Sequence, residues 1–103
     1  MVRAFHHPSV GDITLDGVLH ALSDPVRRQI VARLIREGGM NCSRSCEDLA
    51  PSTVSHHHRV LRESGLIRSE KRGVEVVNTA RKAEVDSRFP GLLDAILNQA
   101  ATA

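Results

Sequence analysis

Aromatic side chains are almost absent from this chain of 103 residues: Phe5 and Phe89 are the only two, and neither tryptophan nor tyrosine occurs. A chain of this length has room for one domain, which buries roughly 65% of the surface of the unfolded chain. We therefore expect a core built from aliphatic side chains. With so little aromatic volume, a second subunit is a natural source of further buried surface.

Long apolar runs are also missing. No segment approaches the ~18 consecutive apolar residues that a membrane span requires, and residues 1–12 lack the apolar region of a signal peptide. These absences predict a cytoplasmic protein with no membrane partner. Cysteine occurs only at Cys42 and Cys46, and in the cytoplasm both are expected to be reduced thiols rather than a structural bridge.

Lysine is scarce, and arginine takes its place. The net charge of +2 decides little, but among 14 basic residues only Lys71 and Lys82 are lysines. The flat guanidinium fork suits phosphates and guanine edges, so the bias favours a nucleic-acid partner. Codon usage in a GC-rich genome is the alternative explanation of the same bias.

The first third of the sequence predicts an arm and two helices. Residues 1–13 have no apolar period and are interpreted as a flexible N-terminal arm. Apolar residues at helical spacing predict a helix over residues 14–22. Asp24 can then cap a second helix, which begins at Pro25, carries an apolar stripe and ends at Gly38.

The middle of the sequence predicts two helices separated by a tight turn. Residues 43–50 form a short helix that Pro51 ends, and Ser52 is expected to cap a helix running to about Ser64. Gly65 stops that helix. A short helix, a turn and a polar second helix make a helix-turn-helix, whose second helix enters the major groove of DNA.

The last third predicts a hairpin and one more helix. Two β-prone runs, residues 66–70 and 74–77, flank a turn at Lys71-Arg72-Gly73. Pro90 then opens a C-terminal helix, followed by a tail at residues 100–103. The predicted fold class is mainly α with a small β-hairpin (α+β), a winged helix-turn-helix domain over residues 14–99.

Three consecutive histidines lie in the predicted recognition helix. At ~100° per residue, His56, His57 and His58 point in three directions, so they cannot form a metal site by themselves. His58 shares the core-facing side with Val54 and Leu61. The opposite side carries donors of the kind that contact base edges and phosphates, although an ordinary solvated helix face is the alternative. These donors are Ser52, Thr53, Ser55, His56, Arg59 and Arg62.

Three segments carry a resemblance to a known family. LHALSDPVRRQI (19–30), STVSHHHRVLRESGLI (52–67) and the basic hairpin turn resemble the ArsR/SmtB family of bacterial winged-helix repressors, and RFPGLLDAIL (88–97) is similar to a subgroup of it. The resemblance covers about residues 14–98. It implies a homodimer that pairs its first and last helices and binds a palindromic operator in double-stranded DNA. It also implies that Lys71 and Arg72 reach the minor groove or phosphates. His58 departs from the family, which usually has a large apolar residue there.

The same family often releases DNA when it binds a metal or when its thiols are oxidised. Its metal site on the C-terminal helix is missing here, because that helix offers Asp94 and no histidine. Cys42 and Cys46 are candidates for oxidation, for arsenite, or for a metal with His6 or His7 as weak further ligands. Their C-x3-C spacing differs from the family's C-x-C, and the alternative is that both are small buried hydrophobic residues.

These features predict a sequence-specific DNA-binding transcriptional repressor, released by oxidation, arsenite or metal at the cysteine pair. The alternative is a winged-helix module for protein–protein contact without specific DNA binding. An enzyme is not expected, because neither a Ser–His–Asp arrangement nor a pair of carboxylates is recognisable, and the clustered polar groups lie on a convex helix. No cofactor is expected.

Overall fold

The computed structural model describes residues 5–38, 40–41 and 49–102, and within them the chain forms a winged helix-turn-helix fold, as predicted. The helices are α1 (Leu15–Ala21), α2 (Pro25–Glu37), α3 (Pro51–Ser64), α4 (Lys82–Arg88) and α5 (Leu92–Thr102). The strands are β1 (Met40–Asn41), β2 (Ile67–Arg72) and β3 (Glu75–Ala80), and a short 3-10 turn lies at Val10–Asp12.

Each of the first two helices begins directly after a capping residue, and the cap at Asp24 is the one that the sequence predicts. The Thr14 hydroxyl accepts the Gly17 N–H at 3.0 Å, and the Asp24 carboxylate accepts the Val26 N–H at 2.8 Å. Burial raises the pKa of Asp24, but hydrogen bonds from the N–H groups of α2 and the charge of Arg27 outweigh it, so the pKa lies below its usual value. Asp24 is therefore an ionised cap at neutral pH.

Helix α3, the predicted recognition helix, begins at Pro51, whose missing N–H costs nothing at the first helical position. Ala50 occupies the cap position and gives no side-chain hydrogen bond, so the prediction that Ser52 caps this helix is wrong. Gly65 ends the helix in the left-handed region, with φ at 89°. Of the short helix predicted at residues 43–50, residues 49 and 50 are not helical, and residues 43–48 lie outside the described residues.

The three strands form one antiparallel sheet in the order β1-β3-β2. The hairpin pairs Arg72 with Glu75, so its turn is Gly73-Val74 and not the predicted Lys71-Arg72-Gly73. Gly73 has a φ of 64°, which a tight hairpin turn requires and glycine supplies without strain. Strand β1 was not predicted, because two residues are too few to show alternation.

Helix α4 is a further element that the sequence pattern did not predict. Val85 is its one buried apolar residue, so the segment has no apolar stripe. Contacts with other elements hold it in place: the Arg88 guanidinium donates to the Ile13 carbonyl at 2.8 Å, and Lys82 lies 3.4 Å from the Asp94 carboxylate of α5. The C-terminal helix begins at Leu92 rather than at Pro90.

The core is aliphatic, as the shortage of aromatic residues predicts. It lies between the helices and the inner face of the hairpin, and Phe89 only packs against its edge. Among the described residues, no helix is long and apolar enough to cross a membrane. The buried core residues are Ile13, Val18, Ala21, Leu22, Ile30, Val31, Leu34, Leu61, Leu66, Ile67, Val85 and Leu93.

Candidate nucleic-acid interface

One side of α3 packs on the core and the other faces solvent. Val54, His58 and Leu61 are buried, as the helical period predicts. The side chains on the opposite side are exposed along the first two and a half turns of the helix. These exposed residues are Ser52, Thr53, Ser55, His56 and Arg59, which we call the outer face of α3.

Arg59 is the one cation of the outer face. Its Nε lies 3.8 Å from Glu63 Oε2, one turn further along the helix, and both side chains are largely exposed. An exposed ion pair at this spacing contributes little, so it restrains the guanidinium only weakly. Arg59 is therefore available to bind an acceptor presented by a ligand.

His57 lies on the buried side of α3, whereas the helical period predicted a position on the flank of the helix. Its Nδ1 is 3.4 Å from Nη1 of Arg27, and Arg27 is itself buried and donates through Nε to the Ala21 carbonyl at 2.7 Å. These contacts join α3 to α1 and α2 through polar groups. The helical period of α3 could not reveal them, because Arg27 lies 30 residues earlier in the chain.

His58 is 1% exposed and is neutral at physiological pH. Burial, and then the positive charge of Arg62, lower its pKa from 6.5 to about 4, although a hydrogen bond with the Val54 backbone acts in the opposite direction. The three neighbouring histidines thus occupy three different environments. They do not form a site together.

The described residues hold no candidate metal site. Within residues 5–38, 40–41 and 49–102, no group of three His, Cys, Asp or Glu side chains could hold a metal ion. His6 is exposed, and His7 Nε2 accepts the Ser69 N–H at 2.9 Å. Cys42 and Cys46 lie outside the described residues.

Lys71 and Arg72 are exposed at the far end of β2, next to the hairpin tip. The Arg72 guanidinium lies 3.7 Å from the Glu70 carboxylate on the same strand. Val74, at the tip itself, is 98% exposed. The tip of the hairpin therefore presents two cations, Lys71 and Arg72, and one solvent-exposed apolar side chain, Val74.

Arg62 is separated from the outer face of α3, although the sequence grouped it there. It is half-buried, and its Nη1 donates to Ser69 Oγ in β2 at 3.3 Å. Its Cζ lies 4.6 Å from the centre of the Phe5 ring, close enough for a cation–π contact. The guanidinium therefore points toward the hairpin and the N-terminal segment.

Comparisons with known proteins agree with this geometry. Residues 22–70 match a family model described as a helix-turn-helix domain. The chain is similar to a solved ArsR family transcriptional regulator, with 30% identity, coverage of 79% of this chain and 90% of that chain, and a TM-score of 0.67. It is also similar to an ArsR-like transcriptional regulator from Rhodococcus sp. RHA1, with 27% identity, coverage of 85% and 86%, and a TM-score of 0.63. No curated protein gives a significant match.

Proposed function

The chain belongs to the ArsR family of winged helix-turn-helix, DNA-binding transcriptional regulators, and on this premise we propose that it is a homodimeric repressor of a palindromic operator. The observation that carries the proposal is the outer face of α3, which is polar and exposed while the inner side of the same helix is fixed in the core. A two-fold symmetric dimer places its two α3 helices in successive major-groove segments, about 34–36 Å apart.

In this proposal the outer face of α3 recognises the bases. A recognition helix contacts base edges mainly through its N-terminal residues, and Ser52, Thr53 and Ser55 lie in its first turns. His56 and Arg59 follow one turn later. Arg59 is the residue best suited to bidentate contact with a guanine, since its guanidinium is exposed and only weakly paired.

The hairpin is assigned to the phosphate backbone. Lys71 and Arg72 lie beside its tip, are exposed, and carry the charge that phosphates or a narrow minor groove attract. Phosphate contacts position the protein but contain little sequence information. Loss of either cation should therefore weaken binding to all duplexes by a similar factor.

Exposed leucines support the proposed dimer. Leu15 and Leu19 are 45% and 44% exposed and lie one turn apart on α1. Leu92, Ile96 and Leu97 of α5 are only partly buried. Covering these side chains with the same helices of a second copy would remove apolar surface from water, which stabilises association by about 25 cal/mol for each Å².

The proposal includes a sensor at Cys42 and Cys46, supported by the sequence alone. The two thiols are four residues apart in the segment that leads into α3. Oxidation to a disulfide, or binding of arsenite or a soft metal by both thiolates, would constrain that segment and displace α3. Reduced protein should then bind the operator tightly and oxidised protein weakly. Fluorescence anisotropy measures both affinities. Equal affinity of reduced and oxidised protein would reject the sensor but would not contradict the proposal that the protein is a repressor.

The Arg59→Ala variant tests the DNA-binding assignment. Duplexes from upstream of the gene and duplexes enriched from a random library are titrated with protein, and anisotropy gives the dissociation constants. We expect Arg59→Ala to weaken binding to the enriched duplex by roughly 5- to 150-fold. The slope of log affinity against log salt should become smaller by about one.

Arg36→Ala is the matched control, since Arg36 is an exposed arginine of α2. It should bind the enriched duplex like wild type, and both variants should keep the wild-type melting temperature. Equal affinity of Arg59→Ala and Arg36→Ala would contradict the assigned role of α3.

A further inference from the structure

Helix α3 and the hairpin are joined by a row of polar contacts. Arg62 Nη1 donates to Ser69 Oγ at 3.3 Å, and Ser69 Oγ donates to Asn78 Oδ1 at 2.5 Å. Ser69 is 3% exposed and Asn78 is 0% exposed. This row of polar contacts therefore runs from the recognition helix through both strands of the hairpin. In such buried surroundings hydrogen bonds are strong.

The N-terminal segment closes over this row of polar contacts. His7 Nε2 accepts the Ser69 N–H at 2.9 Å, which satisfies a backbone donor of the edge strand β2. Phe5 packs against the Arg62 guanidinium, and Arg81 holds the segment in place by donating to the Pro8 carbonyl at 2.9 Å. We call residues 5–8 the N-terminal clasp. The sequence predicted a flexible arm over residues 1–13. Within the described part of that segment, residues 5–8 contact the domain.

The clasp spans the short connection between α3 and β2, where the orientation of the hairpin relative to α3 could change. Helix α3 ends at Ser64 and β2 begins at Ile67, so two residues join them. Arg62 and Ser69 face each other across that connection. Their contact, together with that of His7, fixes the direction of the hairpin relative to α3. Both elements must bind one DNA site together, so this direction affects affinity.

We propose that the N-terminal clasp sets the angle between the recognition helix and the wing, through His7 and through the contact of Phe5 with Arg62, and that His7 and Arg62 are positioning residues rather than DNA contacts. The proposal rests on the function proposed above. It replaces the role in DNA contact that the sequence suggested for Arg62. Without the clasp, α3 and the hairpin still fold, but binding to DNA must first order the hairpin, which lowers affinity.

The clasp is also sensitive to pH. The charged groups facing His7 are Arg62 of α3, Arg68 of β2 and Arg81 ahead of α4, with His6 beside it and the Glu84 carboxylate paired to both Arg68 and Arg81. Burial, and then these positive charges, lower the pKa of His7 from 6.5. Protonated His7 has no acceptor at Nε2, so the clasp is fully present above pH 6.5 and is lost as pH falls through the lowered pKa.

Substitutions at His7 test the hydrogen bond directly. His7→Leu removes the acceptor, whereas His7→Gln retains an acceptor near Nε2 and does not titrate. At pH 7.5 we expect His7→Leu to bind the enriched duplex about fivefold more weakly, the ratio that one net hydrogen bond of ~1 kcal/mol represents. His7→Gln should bind like wild type. As pH falls below 6.5 and through the lowered pKa of His7, wild type should become weaker relative to His7→Gln, because only wild type has a side chain at position 7 that takes up a proton.

His6→Gln is the matched control, since His6 is the exposed neighbour of His7. It should bind like wild type at pH 7.5. If His7→Leu bound as tightly as His6→Gln, or if the ratio between wild type and His7→Gln did not change with pH, the clasp would be rejected.

The salt dependence separates positioning from contact at Arg62. Arg62→Gln should lower affinity by about fivefold or more without changing the slope of log affinity against log salt, because no phosphate contact is lost. Arg59→Ala should reduce that slope by about one. A reduction of equal size in Arg62→Gln would show that Arg62 contacts DNA and would overturn its positioning role.

A measurement without DNA distinguishes failure of the clasp from failure of the repressor proposal. Hydrogen exchange of the Ser69 amide, followed by NMR, should be faster in His7→Leu than in wild type and unchanged in His6→Gln. Equal exchange in all three proteins overturns the clasp whatever the protein binds. Wild type that binds no enriched duplex contradicts the proposed repressor, while faster exchange in His7→Leu would still support the clasp.

Discussion

At the scale of single residues, surroundings determine what each of three adjacent histidines can do. His56 is exposed on the outer face of α3 and is free to meet a ligand. His57 is buried against Arg27, where it helps to hold α3 on α1 and α2. His58 is enclosed by the core and stays neutral. One residue type thus occupies three environments: exposed on the face proposed to bind DNA, buried where α3 docks on α2, and enclosed in the core.

The buried His58 should make folding depend on pH. Its pKa is about 4 in the folded chain and 6.5 when unfolded, so unfolding takes up a proton between these values. The free energy of unfolding that neutral His58 contributes is complete above pH 6.5. It declines as pH falls below 6.5 and is lost as pH falls through about 4. Between pH 7.5 and pH 5 we expect wild type to lose about 2 kcal/mol relative to His58→Leu, as measured by urea unfolding.

His56→Gln is the control for this prediction, because His56 is the exposed neighbour on the same helix. It should follow the wild-type dependence on pH. If His58→Leu also followed that dependence, His58 would not be the group that takes up the proton.

The direction of each side chain of α3 could largely be predicted from the helical period, but its contacts could not. The period places His58 inside and Arg59 outside, and both placements are confirmed. It places Arg62 near the outer face, yet a long guanidinium can turn toward a partner, and Ser69 and Phe5 lie within its reach. Such partners come from other elements, so no local pattern indicates them.

At the scale of elements, predictions succeeded where a capping residue and an apolar stripe coincide. Helix α2 has Asp24 and Pro25 at its start and a stripe that ends at Gly38, and its predicted bounds match the structure. Helix α4 has neither feature, so contacts with other elements, among them those with Ile13 and Asp94, place it. The turn of the hairpin was predicted two residues too early, because cations next to a glycine resemble a loop.

The junction between α3 and β2 gives a prediction at this scale. A Cβ on Gly65 would lie 2.5 Å from Cγ1 of the buried Ile13, and the φ of 89° is itself strained for alanine. Gly65→Ala should therefore lower the free energy of unfolding by about 2–4 kcal/mol, from backbone strain and overpacking together. Urea unfolding followed by circular dichroism measures the loss.

Gly73→Ala is the matched control, since its φ is also positive but nothing lies within 4 Å of the added Cβ. Its free energy of unfolding should fall only by the cost of the backbone strain, about 1 kcal/mol. Equal losses in the two variants would contradict the close approach of Ile13 to Gly65.

At the scale of the whole molecule, a small aliphatic core and exposed leucines favour assembly into a dimer. The core holds no aromatic side chain among the buried described residues, while α1 presents Leu15 and Leu19 to solvent. A dimer would bury this surface and double the number of recognition helices. The same contact would thus serve both stability and recognition.

Leu19→Glu tests the dimer, because a carboxylate in an apolar interface remains unpaired. We expect wild type to be a dimer and the variant a monomer in sedimentation equilibrium, with affinity for the enriched duplex lower by roughly a hundredfold or more, since the second half-site no longer assists the first. Val74→Glu is the control for the oligomeric state. It replaces an exposed apolar residue at the hairpin tip and should remain a dimer. A dimeric Leu19→Glu would contradict the assignment of α1 to the interface.

The most direct test of the central claim, that two copies present α3 to one operator, is hydroxyl-radical footprinting on the enriched duplex. The account predicts two protected segments related by two-fold symmetry, with centres about 10 base pairs apart, and their loss in Arg59→Ala at the same protein concentration. A single protected segment, uniform weak protection, or a footprint that Arg59→Ala leaves unchanged would contradict it.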